Sequence, residues 1–390
     1  MSGGAVPRAP ERFDTALLLA TLAAAFNLRI ALVGIGPVIE DIRADTGVSS
    51  AVAGLLTTVP IVCMGLLAFT GPPVIDRLGI RRTIAGSLVL IGGGTLLRAA
   101  MPTGLTLILA TFPIGVGLAL AGVALPPLVK EHFPGRGGLV TGAYVASMTS
   151  AAALFSVLVV PVSDALGGWR EAFAASALTA VIALPIWLIA GRDGRTGVPS
   201  SLPGRPGSAR LGLVLALIFG LQAVPFSSMI SWVAAIYRDA GWGPADAAVT
   251  TGLIMAFGIP SALAIPGFSD GRDRRLWIAG MAALVAVAVA GVGFAPETVP
   301  LVWLILFGIG NGALFPLVLT LPVDFGREPD EVARLAVWTL GGGYLISAIG
   351  PVTVGALRDL SGGFELPMAI VAAMAVGAGV MALTVLPEPG

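Results

Sequence analysis

About twelve long apolar segments follow one another along this chain, and they constrain its fold more than any other feature. They lie near residues 15–39, 50–75, 83–100, 103–129, 138–160, 169–190, 211–237, 244–269, 275–295, 299–323, 332–357 and 364–386. A helix rises about 1.5 Å per residue, so roughly 20 apolar residues cross the hydrocarbon of a bilayer. There, every backbone N–H and C=O must be satisfied internally, which makes each run a helix. The expected fold class is an all-α membrane protein with about twelve transmembrane helices. Composition agrees: 56% of the 390 residues are hydrophobic and 11% are charged, against about 25% charged in soluble domains. The first segment is as long as many that follow it, so it reads as a retained span and not as a cleaved leader.

The links between segments hold nearly all the charge. The longest, 191–210, is basic and rich in Gly, Pro and Ser, the composition of a flexible connector. It divides the chain into residues 1–190 and 211–390, six spans each, with 191–210 as a cytoplasmic linker. With the N-terminus inside, sixteen basic residues fall on the cytoplasmic side and five (Arg43, Arg98, Arg170, Arg238 and Arg358) on the outer side. The positive-inside rule then places both termini in the cytoplasm of a cell with this protein in its inner (plasma) membrane. Net charge is zero, so no nucleic-acid partner is expected. One cysteine, Cys63, excludes an internal disulfide. His132 is the only histidine and reads as part of a polar loop. One Cys and one His at unrelated positions make no transition-metal site, and no cofactor is expected.

The charge count leaves one basic residue over. Arg29 sits in the first apolar segment, and no Asp or Glu lies deep in any segment to neutralise it. A guanidinium at the middle of a span costs about 2.5–3.5 kcal/mol on insertion scales. A positive charge held there without a built-in partner points to a partner that comes and goes. The alternative is snorkelling, or pairing with backbone carbonyls to hold helices together.

The two parts repeat each other. Asp164-Ala165-Leu166-Gly167-Gly168-Trp169 matches Asp359-Leu360-Ser361-Gly362-Gly363-Phe364, and Asp45-Thr46-Gly47 matches Asp239-Ala240-Gly241. Gly122-Val123-Ala124-Leu125-Pro126 matches Gly312-Ala313-Leu314-Phe315-Pro316, and Asp76 and Asp270 each precede an arginine cluster. Matches that keep their order read as a tandem duplication of six spans, the organisation of a rocking transporter. The whole chain resembles the major facilitator superfamily, with Asp76-Arg77-Leu78-Gly79-Ile80-Arg81-Arg82 similar to its signature loop. Within it, Asn27-Leu28-Arg29, Gly54-Leu55-Leu56-Thr57-Thr58, Gly220-Leu221-Gln222 and Gly343-Tyr344-Leu345 resemble the cyanate/nitroimidazole permease-like branch. The resemblance implies two pseudo-symmetric six-helix bundles that work by rocker-switch alternating access. It also implies that Asp76, Arg77, Arg81, Asp270 and Arg274 form gate networks on the cytoplasmic face.

If Arg29 faces a central cavity, its planar fork suits a carboxylate or another flat anion. Asn27 lies about 200° round the helix from it, so the two cannot face the cavity equally. Asn27 is a candidate for the site or for a bond to a neighbouring helix. Gln222, Tyr144, Asn311 and Tyr344 are candidate donors to the same ligand, with helix-to-helix bonding as the alternative for each. Phe226, Trp232 and Trp338 are candidate walls, with ordinary packing or an interfacial belt as the alternative. Trp169, Trp187, Trp277 and Trp303, nearer segment ends, read as belt residues. No nucleotide loop is present, which argues against an ATP-driven pump. With no deep titratable carboxylate, any proton travels with a weakly acidic substrate, or the protein is a uniporter or exchanger. The function expected is secondary or facilitative transport of a small anionic or nitro-bearing organic solute, by a monomer that is not an enzyme. The competing reading is drug efflux through a mainly apolar cavity, for which Arg29 would be dispensable.

Overall fold

A computed structural model describes residues 14–134, 136–194, 206–269, 273–326 and 328–386. Among these, fifteen α-helices make up twelve helical spans long and apolar enough to cross a membrane. In chain order they are α1 (Thr15–Val33), α2 (Ile39–Thr46), α3 (Ser50–Leu78), α4 (Ile80–Ala100), α5 (Gly104–His132), α6 (Gly137–Leu166), α7 (Trp169–Ser176) and α8 (Leu178–Ala190). They continue with α9 (Pro206–Asp239), α10 (Pro244–Ser269), α11 (Arg274–Phe294), α12 (Pro300–Phe325), α13 (Pro329–Ser347), α14 (Ile349–Ser361) and α15 (Glu365–Thr384). We call the end of the bundle where α1 begins the proximal face, and the opposite end the distal face.

Nine spans are single helices, while the first, sixth and eleventh are each broken in two. Two of these breaks follow from proline, which has no N–H for the carbonyl four residues back and crowds it. Pro37 faces the Val33 carbonyl, and α1 ends at Val33, passing through a 3-10 turn at Gly36–Val38 into α2. Pro351 has no N–H for the Ser347 carbonyl, and the hydroxyl of Ser227 on α9 donates to it instead, at 2.9 Å. Each orphaned carbonyl in such a break needs a substitute donor, so breaks mark places where one span is held by another.

The structure moves several sequence expectations. The fifth span, read as 138–160, runs from Gly137 to Leu166, because its apolar core is extended by polar turns at the distal end. His132 is the last residue of α5, its ring nitrogen 3.2 Å from the Leu128 carbonyl, and not part of a loop. Trp169 and Trp187 are buried, and the Trp187 indole donates to the Arg81 carbonyl at 2.9 Å, so they pack between helices and do not form a belt. Much of the 191–210 linker, residues 195–205, lies outside the described residues.

Span one is central to the first six spans: α1 packs on α6 and α8, with lesser contacts to α4 and α5. The last six are joined chiefly by α9 on α13 and α15, α10 on α12, and α11 on α15. Two seams connect the first six spans to the last six, α3 along α13 and α14, and α6 along α10. Glycine permits the closest of these approaches. A methyl group at Gly54 on α3 would stand 2.5 Å from the Pro351 carbonyl oxygen of α14. One at Gly36, in the break of span one, would stand 2.1 Å from the Ile230 carbonyl oxygen of α9.

Candidate functional site

Arg29 lies fourteen residues beyond the first residue of α1, about 21 Å into the bundle at 1.5 Å per residue. It is surrounded by protein yet keeps some accessible surface. It makes no hydrogen bond or ion pair among the described residues. Its guanidinium stands over the ring of Phe226 on α9, 5.3 Å from the centroid. That is a cation–π contact across the two sets of spans, of roughly 0.5–2 kcal/mol depending on desolvation. Tyr344 on α13 lies near it. The Tyr344 ring meets Phe219 edge-on at 5.3 Å, and Phe219 meets Phe315 of α12 at 5.8 Å. Arg29 therefore faces Phe226 of α9 and Tyr344 of α13, and the buried Phe219, with Phe315 of α12 beyond it, backs Tyr344.

Of the residues singled out in the sequence, the structure brings Arg29, Phe226 and Tyr344 together. Asn27 is turned away: its amide donates to the carbonyls of Ala23 (2.9 Å) and Thr179 (3.4 Å), and its oxygen accepts from the Thr179 hydroxyl at 2.7 Å. It ties α1 to α8, as the 200° offset requires. Gln222 is buried on α9 with its amide nitrogen unpaired, and Asn311 on α12 has an unpaired side-chain oxygen. Tyr144 is buried on α6. Trp232 is not a cavity wall. Fully buried, it donates to the Pro351 carbonyl at 2.9 Å and lies under Arg358 at the distal end. Trp338 meets Phe69 of α3 edge-on at 5.5 Å, on the proximal side of the seam. Phe219 and Phe315 were missed because an aromatic in an apolar run carries no signal of which way it points.

The distal face is closed by charge, which the sequence reading did not foresee. Arg238 of α9 pairs with Asp41 of α2 at 2.9 Å, and Arg358 of α14 pairs with Glu40 at 2.5 Å. Arg358 also holds Asp239 at 2.9 Å, lies 4.5 Å over the Phe364 ring, and shares Glu40 with Arg43. One turn along the seam, the Asp359 carboxylate accepts the Ser50 and Ala51 N–H groups at 3.1 and 2.9 Å. An anion at a helix N-terminus satisfies orphan donors and opposes the helix dipole. Further in, the Thr58 hydroxyl donates to the Ala348 carbonyl at 2.8 Å. All but the Asp239, Phe364 and Arg43 contacts join the first six spans to the last six.

On the proximal face, Arg81 donates to the Leu188 carbonyl, and Arg274 is bonded to Asp324 at 2.5 and 2.6 Å. Both contacts stay within one set of six spans. Arg77 is exposed at the end of α3, beside Asp76. Asp270 lies outside the described residues. Asp14 caps α1, accepting the Leu17 N–H at 2.9 Å and pairing with Arg192 at 3.1 Å. The Leu17 bond, with Arg192 beside it, holds its carboxyl below the usual range.

Arg29 is not the only arginine withdrawn from water. Arg98, placed by the charge count on the outer side, is 1% exposed. It belongs to the last turn of α4, which sequence position marks as an edge, but α1 and α7 cover it.

Twelve spans around an unpaired, centrally placed guanidinium, sealed at one end by ion pairs between two sets of six, define a membrane transporter. The chain belongs to the Major Facilitator Superfamily, whose pattern matches residues 17–351. It is 32% identical to the uncharacterized transporter YycB of Bacillus subtilis over 93% of this chain and 91% of that one. It is 30% identical to the cyanate transport protein CynX of Escherichia coli (95% and 97% covered). With the 2-nitroimidazole transporter of the same organism it shares 31% identity (92% and 92% covered). The fold superposes on a crystal structure of a D-xylose–proton symporter with TM-score 0.76 at 17% identity, covering 97% of this chain and 99% of that one.

Proposed function

We propose that this protein carries a small, flat, anionic or nitro-bearing organic solute across the inner membrane, with Arg29 as its anchor. The observation that carries the reading is the Arg29 guanidinium, deep in the bundle, with aromatic faces for neighbours and no carboxylate. Such a fork donates two parallel hydrogen bonds to one planar anion, while Phe226 and Tyr344 supply flat surfaces beside it. Relatives that carry cyanate and 2-nitroimidazole support this ligand class.

Residues 1–190 and 211–390 act as two bundles joined by the linker and rocking about the central site. The bias of basic residues puts the proximal face and both termini in the cytoplasm. The closed distal face is then the outer gate, and Arg29 communicates with cytoplasmic water. Opening requires the Asp41–Arg238, Glu40–Arg358 and Asp359–α3 contacts to part together.

Uptake of cyanate and of 2-nitroimidazole into proteoliposomes tests the reading. Arg29→Ala is expected to raise KM at least about thirtyfold, ~2 kcal/mol of lost charge-assisted bonding. Arg29→Lys retains charge without the fork and falls between. Transport undiminished in Arg29→Ala would refute the anchor and favour efflux of apolar drugs.

A further inference from the structure

Arg98 is fully buried, and among the described residues its side chain forms no ion pair with a carboxylate. Its Nη1 donates to the carbonyl of Ala31 at 3.1 Å, and its guanidinium lies 4.5 Å over the ring of Phe173 on α7. Its Nε and Nη2 have no acceptor. A desolvated charge with two idle donors is an expensive way to fill space, and an apolar side chain of the same size would pack there at less cost. The guanidinium therefore needs a reason beyond packing.

The reason lies in the break of span one. Helix α1 ends at Val33, the Gly34 N–H reaches back to the Ile30 carbonyl, and Pro37 has no N–H to continue the ladder. The carbonyls of Ala31, Leu32 and Val33 are thus the orphaned, negative end of a helix, buried where water cannot reach them. A cation at that end supplies both a hydrogen bond and the favourable dipole interaction, up to about 2 kcal/mol in a partly buried setting. Three elements fix the break from three sides: Arg98 from α4, Phe155 of α6 against Gly34, and the α9 backbone at Ile230 against Gly36. Immediately past the break come Glu40 and Asp41, the carboxylates that meet Arg358 and Arg238.

We infer that Arg98 is a positioning residue that holds the broken end of α1 and thereby sets the gate carboxylates Glu40 and Asp41 in register with Arg358 and Arg238. It acts through α1 and touches no ligand.

Hydrogen–deuterium exchange on the full chain in nanodiscs tests this, read in peptides covering residues 30–46. Arg98→Met is expected to speed exchange there about tenfold or more, the loss of one charge-assisted bond, with α11 and α15 unchanged. Arg98→Lys, keeping charge and a donor, stays within about threefold of the parent. Spin labels at exposed Ala44 and Leu360, read by double electron–electron resonance, gain a long-distance population in Arg98→Met and not in Arg98→Lys. Unchanged exchange and distances in a folded Arg98→Met protein would overturn the inference, as would equal loss in Arg98→Lys. If Arg98→Met does not fold, Phe173→Leu leaves the hydrogen bond but removes the ring that steadies it. A smaller rise confined to residues 30–46 supports the inference, and no rise there overturns it.

Discussion

Gly54→Ala wedges the distal gate open. The added methyl would sit 2.5 Å from the Pro351 oxygen, 2.8 Å from the Pro351 carbonyl carbon and 2.9 Å from Val352 Cα. All three are backbone atoms of α14, so no side chain can turn aside. Ordinary contact is about 3.5 Å, which requires α3 and α14 to part by about 1 Å. Overpacking of this kind costs about 1–3 kcal/mol. The same parting stretches the bonds from Ser50 and Ala51 to Asp359, now 3.1 and 2.9 Å, toward the limit of useful geometry. Alanine's better helix propensity, about 1 kcal/mol, acts equally in the open and closed states and cancels from their ratio. The closed-to-open ratio should therefore fall about 5- to 150-fold with little change in thermal stability. The assay is the Ala44–Leu360 spin-label distance distribution in a Cys63→Ser background, since Cys63 is buried and free. If Gly54→Ala leaves the distribution unchanged while Arg358→Gln in the same preparation lengthens it, the steric argument is wrong.

Arg358→Gln removes the contacts to both Glu40 and Asp239 and should open the distal gate more than Asp41→Asn, whose pair with Arg238 is more exposed and worth about 0.2–1 kcal/mol. Raising salt to about 1 M, where the screening length is near 3 Å, should shift the parent distances in the same direction and leave Gly54→Ala less responsive. Asp14→Ala should lower stability by about 1 kcal/mol at neutral pH, the worth of an N-cap, measured by thermal unfolding in detergent. Because the folded Asp14 carboxyl titrates below its unfolded value, its contribution is full above the unfolded pKa, near 4. The ionised carboxylate's share is lost as pH falls through the lower folded value, so the Asp14→Ala difference should shrink in acid; a difference that grows as pH falls contradicts the linkage.

The number of spans, the membrane class and the family were legible in the sequence because each rests on local properties. Apolar run length, the position of charge and the order of short matches are unchanged by how helices meet. Arg29 was legible for the same reason: a guanidinium in the middle of a span has no cheap explanation. Which residues join it was decided by packing. Asn27 was fixed by its angle on α1 and turned to Thr179, while Phe219 and Phe315 came to back Tyr344 only once α9, α12 and α13 were placed side by side. The distal gate was invisible because Glu40, Asp41, Arg238, Arg358 and Asp359 sit at ordinary span ends. Only the meeting of residues some two to three hundred positions apart makes them pairs. Arg98 makes the same point most sharply. Sequence position reads it as an edge charge, since depth along a helix is local. Burial depends on which neighbours cover that edge, and only the tertiary structure sets α1 and α7 over it.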